Sequence, residues 1–363
     1  MAKYIYQYDQ WPSFSWDEKA IHLTLGEVRH LQGKILGQMG ALGFSIQEET
    51  NLTTLTLDVI KSSEIEGEIL NVEQVRSSIA RRLGIEYAGI ITSERNIEGV
   101  VEMMLDATQN YSKFLSEERL CGWQASLFPT GYSGMHKIAT GSYRIGEMQV
   151  VSGSMGREKV HYLAPSPDSV KENMDKFLTW FNGDSKLDGV IKAAIAHFWF
   201  IIIHPFDDGN GRIARALSDM LLARTENSTQ RFYSLSSQIL VEKRVYYEVL
   251  QKVQHSNGDI TEWLLWFLNC LDRTLKSTEH TLNRTLYKAN FWNKNNETVL
   301  NSRQRVMLNK LLDGFDGKLK TSKWAKITKC STDTALRDIK DLIEKGILKQ
   351  EESGGRSTNY ELK

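Results

Sequence analysis

The strongest constraint on this chain lies between Val190 and Ile203, where VIKAAIAHFWFIII forms its most apolar stretch. The run is interrupted by Lys192 and His197 and falls short of the ~20 residues a membrane span needs. It reads as a helix buried in a core, with His197 as a core histidine. That helix has to stop before Pro205, because proline disfavours helical backbone in the residue preceding it. The text then turns to Asp207-Asp208-Gly209-Asn210-Gly211, and a new helix opens near Asn210 and runs through RIARALSDMLLA. A buried helix, a tight loop and a second helix must therefore share one place in the fold.

A loop entering a helix N-terminus has chemical consequences. Free backbone N–H groups near Gly209 to Gly211 can cradle an anion, and the helix dipole favours negative charge there. Glycine at 209 and 211 lets the backbone approach a phosphate closely. Arg212 and Arg215 lie three apart on the new helix and share a face, and two guanidinium forks on one face suit a polyphosphate. Asp208 adds one hard carboxylate beside the anion site, which suits Mg²⁺ bridging phosphates. His204, at the loop entry, belongs to the residue type whose pKa best suits proton abstraction. Each element alone is as readily structural as functional. Their coincidence in twelve residues, on the order of 10⁻¹¹ per starting position from average usage, points to nucleotidyl or phosphoryl transfer.

The 363 residues exceed what one hydrophobic core usually serves, so two or three domains are expected. Hydrophobic residues at 41% and charged residues at 25% exclude disorder as the main state. Lys and Arg number 45 and Asp and Glu number 45, which excludes wholesale electrostatic binding to nucleic acid or an anionic membrane. Cys121, Cys270 and Cys330 lie far apart, with neither metal-ligand spacing nor the even count of a disulfide framework. The opening MAKYIYQYDQW has no apolar signal region, and a reducing, cytoplasmic setting is expected.

The chain reads as mainly α. Residues 1–95 are helical after an aromatic opening (Tyr4, Tyr6, Tyr8, Trp11, Phe14, Trp16) that reads as packing. Residues 96–276 are helical except for Thr140–Pro167, where β-prone Gln149–Val151 and Val160–Tyr162 flank SGSMGRE and predict a hairpin. Asp168 is the expected cap of the next helix. Residues 277–300 are polar and Asn-rich and read as a connector. Residues 301–363 predict helices at Ser302–Leu312, Ser322–Thr328 and from Ser331 to Lys345. Strands at Ile347–Gln350 and Asn359–Leu362 follow, joined through Ser353-Gly354-Gly355-Arg356; together these elements make a winged helix.

His204 to Arg215 matches the Fic family signature HxFx(D/E)GNGRxxR at every specified position. The resemblance implies a compact helical core with a β-hairpin flap, and transfer of AMP from ATP to a Ser, Thr or Tyr hydroxyl of a target protein. Carried over position by position, His204 resembles the base and Asp208 the Mg²⁺ ligand. Gly209, Asn210 and Gly211 fall where the family cradles phosphate, and Arg212 and Arg215 resemble the β/γ-phosphate arginines. Tyr247 resembles a position that contacts adenine, although Gln254 stands where the family has asparagine. The hairpin through Val151 and His161 resembles the flap that aligns a target by β-augmentation. In the Doc branch, which transfers the γ-phosphate, a lysine replaces the glycine corresponding to Gly211, so Gly211 favours AMP transfer.

A second motif, Lys61-Ser62-Ser63-Glu64-Ile65-Glu66-Gly67, carries Ser62 and Glu66 four apart on one helix face. It matches the family's inhibitory pattern (S/T)xxxE(G/N), in the class with an N-terminal inhibitory helix. The resemblance implies that Glu66 pairs with Arg215 and competes with the ATP γ-phosphate; Glu64 falls off that face.

Two rival readings stay open: a de-AMPylase using the same site, and a winged-helix transcriptional regulator with a nucleotide-sensing core. Residues 301–363 carry 14 Lys/Arg against 9 Asp/Glu. The helix from Ser331, however, sets Asp333, Asp338, Asp341 and Glu344 against Arg337, Lys340 and Lys345, so DNA binding is not favoured over protein docking. A protein target of unknown identity is expected, with automodification, a homodimer left open, and no membrane partner.

Overall fold

The computed structural model describes residues 3–85, 91–152, 159–312, 314–315, 317–351 and 358–363. It divides into two compact units, Met1–Thr278 and Glu279–Lys363. The first opens with a 3₁₀ turn (Ile5–Gln7) and helices α1 (Glu18–Gly40), α2 (Phe44–Ile65), α3 (Val72–Leu83), α4 (Arg95–Gln109) and α5 (Glu117–Leu127). Two short strands, β1 (Tyr132–Ser133) and β2 (His136–Lys137), pair antiparallel, as do β3 (Gln149–Ser152) and β4 (Lys159–Leu163). Then come α6 (Pro167–Asn182), α7 (Gly189–Ile203), α8 (Asn210–Glu226), α9 (Leu235–Val241), α10 (Lys243–Val253) and α11 (Thr261–Lys294).

Helix α7 is the apolar run, and it is buried almost all round, as a helix without a polar face must be. Ala193, Phe198, Phe200 and Ile203 are fully buried, and α8 packs along it. Each such large apolar side chain contributes roughly 1.5–3 kcal/mol by leaving water. The aromatic opening packs as expected: Trp11 and Phe14 meet Trp199 edge-on, and Tyr4 and Tyr6 meet Tyr162.

Two boundaries differ from the sequence expectations, and the hairpin carries a bulge. Helix α6 begins at Pro167 with Ser166 as its N-cap, because proline is pre-organised for the first helical position; Asp168 lies inside the first turn. The stretch 277–300 is helical through Lys294 as the second half of α11, because Leu282, Phe291 and Trp292 give it packing residues that its polar composition obscures. The β3–β4 register shifts between Val150 and Val151, leaving His161 as the extra residue of β4. Residues Gly153–Glu158 of the expected turn, and Ser353-Gly354-Gly355-Arg356, lie outside the described residues.

The second unit holds α12 (Ser302–Leu312), α13 (Thr321–Thr328), α14 (Thr332–Glu344) and the antiparallel pair β5 (Leu348–Gln350) and β6 (Tyr360–Leu362). Met307, Leu308, Trp324, Ile339 and Leu342 form its core. Ser331 caps α14 by accepting from the Thr334 N–H. Part of the acidity of α14 is internal: Asp338 accepts two bonds from Arg303 at 2.8 and 3.0 Å, and Asp341 pairs with Lys345 at 2.5 Å.

One close crossing carries the site's floor. A β-carbon on Gly99 in α4 would lie 1.7 Å from the Ser126 carbonyl oxygen of α5. The contact lets α5 approach, so that Leu127 and Phe128 at its end reach the α7–α8 loop. Gly99→Ala is expected to destabilise the first unit by about 1–3 kcal/mol, the usual penalty of overpacking. A denaturant midpoint equal to that of the parent would show that the crossing is not needed.

Candidate active site

The turn from α7 into α8 is tightly specified. His204 caps α7 in the left-handed region (φ 50°, ψ 59°), which costs a non-glycine residue roughly 1–2 kcal/mol. Asn210 staples the loop that follows: its Oδ1 accepts from the Phe206 N–H at 3.0 Å and its Nδ2 donates to the Phe206 carbonyl at 2.8 Å. Gly209 caps α8 at φ 90°, and a β-carbon there would press on Leu127 and Phe128 at 3.0 Å. The first helical bond of α8 runs from Ile213 N–H to the Gly209 carbonyl at 3.0 Å, so the amides before it lie outside the helical ladder and face the loop.

His204 Nδ1 lies 3.3 Å from the Ile201 carbonyl. A carbonyl only accepts, so Nδ1 carries the proton and Nε2 keeps its lone pair. Burial, helped by the charge of Arg144, holds the imidazolium form down to about pH 4, against the opposing pull of the Ile201 carbonyl, Asp208 and Glu66. The ring is therefore neutral at physiological pH and able to take a proton.

The end of α2 reaches the same place. Gly67 sits at φ 86°, its N–H bonds the Glu64 carbonyl and the Glu68 N–H bonds the Ser63 carbonyl, both at 3.0 Å. This is a Schellman termination, and it turns two carboxylates toward α8. Arg215 donates from Nε to Ser62 Oγ at 2.8 Å, and from Nη2 to the Ser62 carbonyl at 2.8 Å and Glu66 Oε1 at 2.7 Å. Arg212 donates to Glu68 Oε2 at 2.7 Å and stacks over Phe128. Glu64 turns away to Lys61.

The Glu66 carboxylate occupies the head of α8. A β-carbon on Gly211 would stand 2.1 Å from Glu66 Oε1 and 3.3 Å from Arg215 Nη1. Glycine at 211 is thus required by the carboxylate now seated there. Arg212 Nε and Arg215 Nη1 are buried with no hydrogen-bond partner among the described residues. An unpaired buried donor costs about 1–3 kcal/mol, which a bound anion would relieve.

Behind the arginines lies a buried polar row. Ser218 Oγ donates to the Ala214 carbonyl at 3.1 Å, His197 contacts Ser218 through Nδ1, and Tyr246 lies 3.0 Å from His197 Nε2. Burial lowers His197 to about 3 and keeps it neutral, as a core histidine should be. Tyr247, on α10, is partly exposed; burial and the charge of Glu66 push its phenol up to about 12.

Asp208 accepts from the Gly209 N–H at 2.5 Å and from the Ser133 hydroxyl. Among the described residues no group of three or more His, Cys, Asp or Glu gathers to hold a metal. A single carboxylate fits Mg²⁺, which takes one or two protein oxygens and the rest from phosphates and water. It does not fit a metal held wholly by protein.

The structure therefore brings together Ser62, Glu66, His204, Asp208, Gly209, Asn210, Gly211, Arg212 and Arg215. The hairpin positions lie on β3 and β4. Val151 pairs with Val160, and the His161 carbonyl accepts from Gln254 Nε2 at 2.8 Å. Sequence reasoning missed Glu68, although it lies two residues beyond Glu66 across a glycine. It also missed Ser133 and the wholly buried Arg144, for which no periodicity gave a signal.

Comparison with known proteins bears on this geometry. Residues 114–222 match the Fic/DOC family, and residues 4–85 match a domain of unknown function (DUF4172). The chain is 25% identical over 279 residues to "Protein adenylyltransferase fic-1" of Caenorhabditis elegans, covering 73% of this chain and 50% of the relative. It is 31% identical over 134 residues to "Protein adenylyltransferase Fic" of Culex quinquefasciatus, covering 35% and 25%. The chain thus spans half or less of the curated relatives it matches. A crystal structure of a Fic family protein from Desulfovibrio desulfuricans shares the fold with a TM-score of 0.55 at 20% identity, covering 95% of this chain and 96% of that one. "Fic-1 (aa134 - 508)" of C. elegans aligns with a TM-score of 0.51 at 21% identity, covering 74% of each.

The His204 ring gives a direct test. Its folded pKa lies below the ordinary value of ~6.5, so its contribution to stability is intact above that value and is lost as pH falls toward 4. Followed by NMR, the His204 ring is expected to stay neutral until about pH 4. A midpoint at or above the ordinary value would contradict the buried, neutral ring.

Proposed function

We propose that this chain transfers AMP from ATP to a Ser, Thr or Tyr hydroxyl of a protein, in a site that its own α2 helix holds shut. The curated relatives named protein adenylyltransferases support the reaction class. The observation that carries the autoinhibited reading is the engagement of Arg215 by Ser62 and Glu66 at the head of α8. In the reaction, His204 Nε2 takes the proton of the attacking hydroxyl. The hydroxyl oxygen bonds to the α-phosphorus, the bond from that phosphorus to its bridging oxygen breaks, and pyrophosphate leaves.

Asp208 would hold Mg²⁺ at the phosphates; when bound, the ion supplies charge neutralisation there. The amides at Gly209–Gly211 cradle the phosphates, Arg212 and Arg215 bind the β- and γ-phosphates, and Tyr247 lies along the adenine. Val151 and His161 on the hairpin serve to align an extended target segment. We read residues 301–363 as a winged helix that docks protein. Of membrane association the structure says one thing: among the described residues no helix is long and apolar enough to cross a bilayer.

Glu66 and the γ-phosphate cannot share Arg215. A charge-assisted bond of this kind contributes about 1.5–3 kcal/mol, so Glu66→Gly is expected to raise AMP transfer roughly 10- to 100-fold, since each ~1.4 kcal/mol is a decade. The experiment incubates the parent, Glu66→Gly and Glu66→Gly with His204→Ala with α- or γ-labelled ATP and a host lysate. Label is expected to follow the α-phosphate and to fall at least about 100-fold without His204. Transfer of γ-label with release of ADP would make the enzyme a kinase. Loss of AMP from a premodified target that depends on Glu66 would make it a de-AMPylase.

A further inference from the structure

We propose that Arg144, which precedes the β3–β4 hairpin, and Tyr162, within β4, are positioning residues for His204: they fix the backbone turn on which the imidazole is carried. The inference rests on the reading of His204 as the base.

The end of a helix leaves its last carbonyls without intrahelical donors, and His204 holds a conformation that a side-chain-bearing residue keeps only when its surroundings over-determine it. Here the carbonyls are claimed from the hairpin side. Tyr162 Oη donates to the Ile202 carbonyl at 2.5 Å. Arg144 Nε donates to the His204 carbonyl at 2.8 Å, and the Arg144 backbone N–H donates to the Pro205 carbonyl at 2.9 Å. The other arms of the same guanidinium reach the Gly146 carbonyl at 2.9 Å and the Pro165 carbonyl at 2.5 Å, one before the hairpin and one after it.

Arg144 is 2% exposed and Tyr162 5%, so neither is placed to meet solvent. Among the described residues no carboxylate accepts a hydrogen bond from Arg144, although the charges of Glu147 and Asp207 act on it; its three side-chain bonds end on backbone carbonyls. A buried guanidinium whose hydrogen bonds all end on carbonyls fixes backbone geometry. It ties the hairpin's two roots to the turn that carries His204. The Tyr162 ring, 6.4 Å from the imidazole centre, closes the same side.

The test compares Arg144→Lys and Tyr162→Phe with their parent, all in the Glu66→Gly background. Lysine keeps the charge and the apolar stem but cannot fork to three carbonyls, and phenylalanine removes one hydroxyl only. Misplacing a catalytic group by about 1 Å costs on the order of 100-fold. Each variant is therefore expected to lose roughly 10- to 100-fold in kcat while KM for ATP stays within about threefold, because neither residue lies with the phosphate arginines. Arg144 would be merely structural if kcat held within about threefold, or if the loss fell on KM alone. Should Arg144→Lys fail to fold, Tyr162→Phe decides. Exchange at the His204 and Phe206 amides gives a readout independent of activity. Roughly tenfold faster exchange is expected in the variants, and unchanged exchange overturns the proposal. A parent without transfer but with loosened variants would refute the function and leave the positioning intact.

Discussion

Much of this structure is organised around the Arg215 guanidinium. It is 2% exposed, and at the end of α2 it bonds the Ser62 hydroxyl, the Ser62 carbonyl and the Glu66 carboxylate. A charge so deeply buried needs partners or an anion, because leaving it alone costs several kcal/mol. Glu66, by contrast, keeps about a third of its side chain exposed. The asymmetry is physically useful. The arginine cannot leave, whereas the carboxylate can be exchanged for another anion without opening the core.

That exchange requires α2 to hold register against α8, and the polar interior beyond Arg215 does this. Asp58, two turns before Glu66, accepts from Ser234 at 2.5 Å, and Asn51 accepts the Arg231 N–H at 2.8 Å. Arg231 in turn pairs with Glu226 at 2.7 Å and meets Asp219, one turn beyond Arg215, at 3.4 Å. Burial and mutual repulsion push Asp58 well up, and burial raises Asp219 to about 6. Removing one partner from such a set typically costs about 3–5 kcal/mol. The end of α2 that carries Glu66 is therefore a short contact on a helix whose body is fixed.

The sequence made the site legible where chemistry and chain direction coincide. The anion-facing loop, its glycines, both arginines and His204 lie within twelve residues, and helical spacing alone puts Arg212 and Arg215 on one face. Helix α7, α8 and the elements of residues 302–362 were readable because apolar period, caps and glycines agreed. What was hidden depends on long-range backbone contact. Arg144 is one residue in GSYRIG, and nothing local shows that its bonds end on His204 and Pro165. Glu68 escaped because its role needs the Schellman turn at Gly67 to be known. The helical continuation of α11 to Lys294 escaped because its packing residues are sparse among polar ones.

Glu66 and the ATP γ-phosphate are proposed to compete for Arg215. Calorimetric titration of ATP with Mg²⁺ into the parent, Glu66→Gly and Glu66→Gly with Arg215→Ala measures that competition without any target protein. Removing Glu66 is expected to tighten ATP binding roughly 10- to 100-fold, and removing Arg215 as well is expected to abolish that gain. Equal ATP affinity in the parent and Glu66→Gly would contradict the account and leave Glu66 as the charged end of a helix.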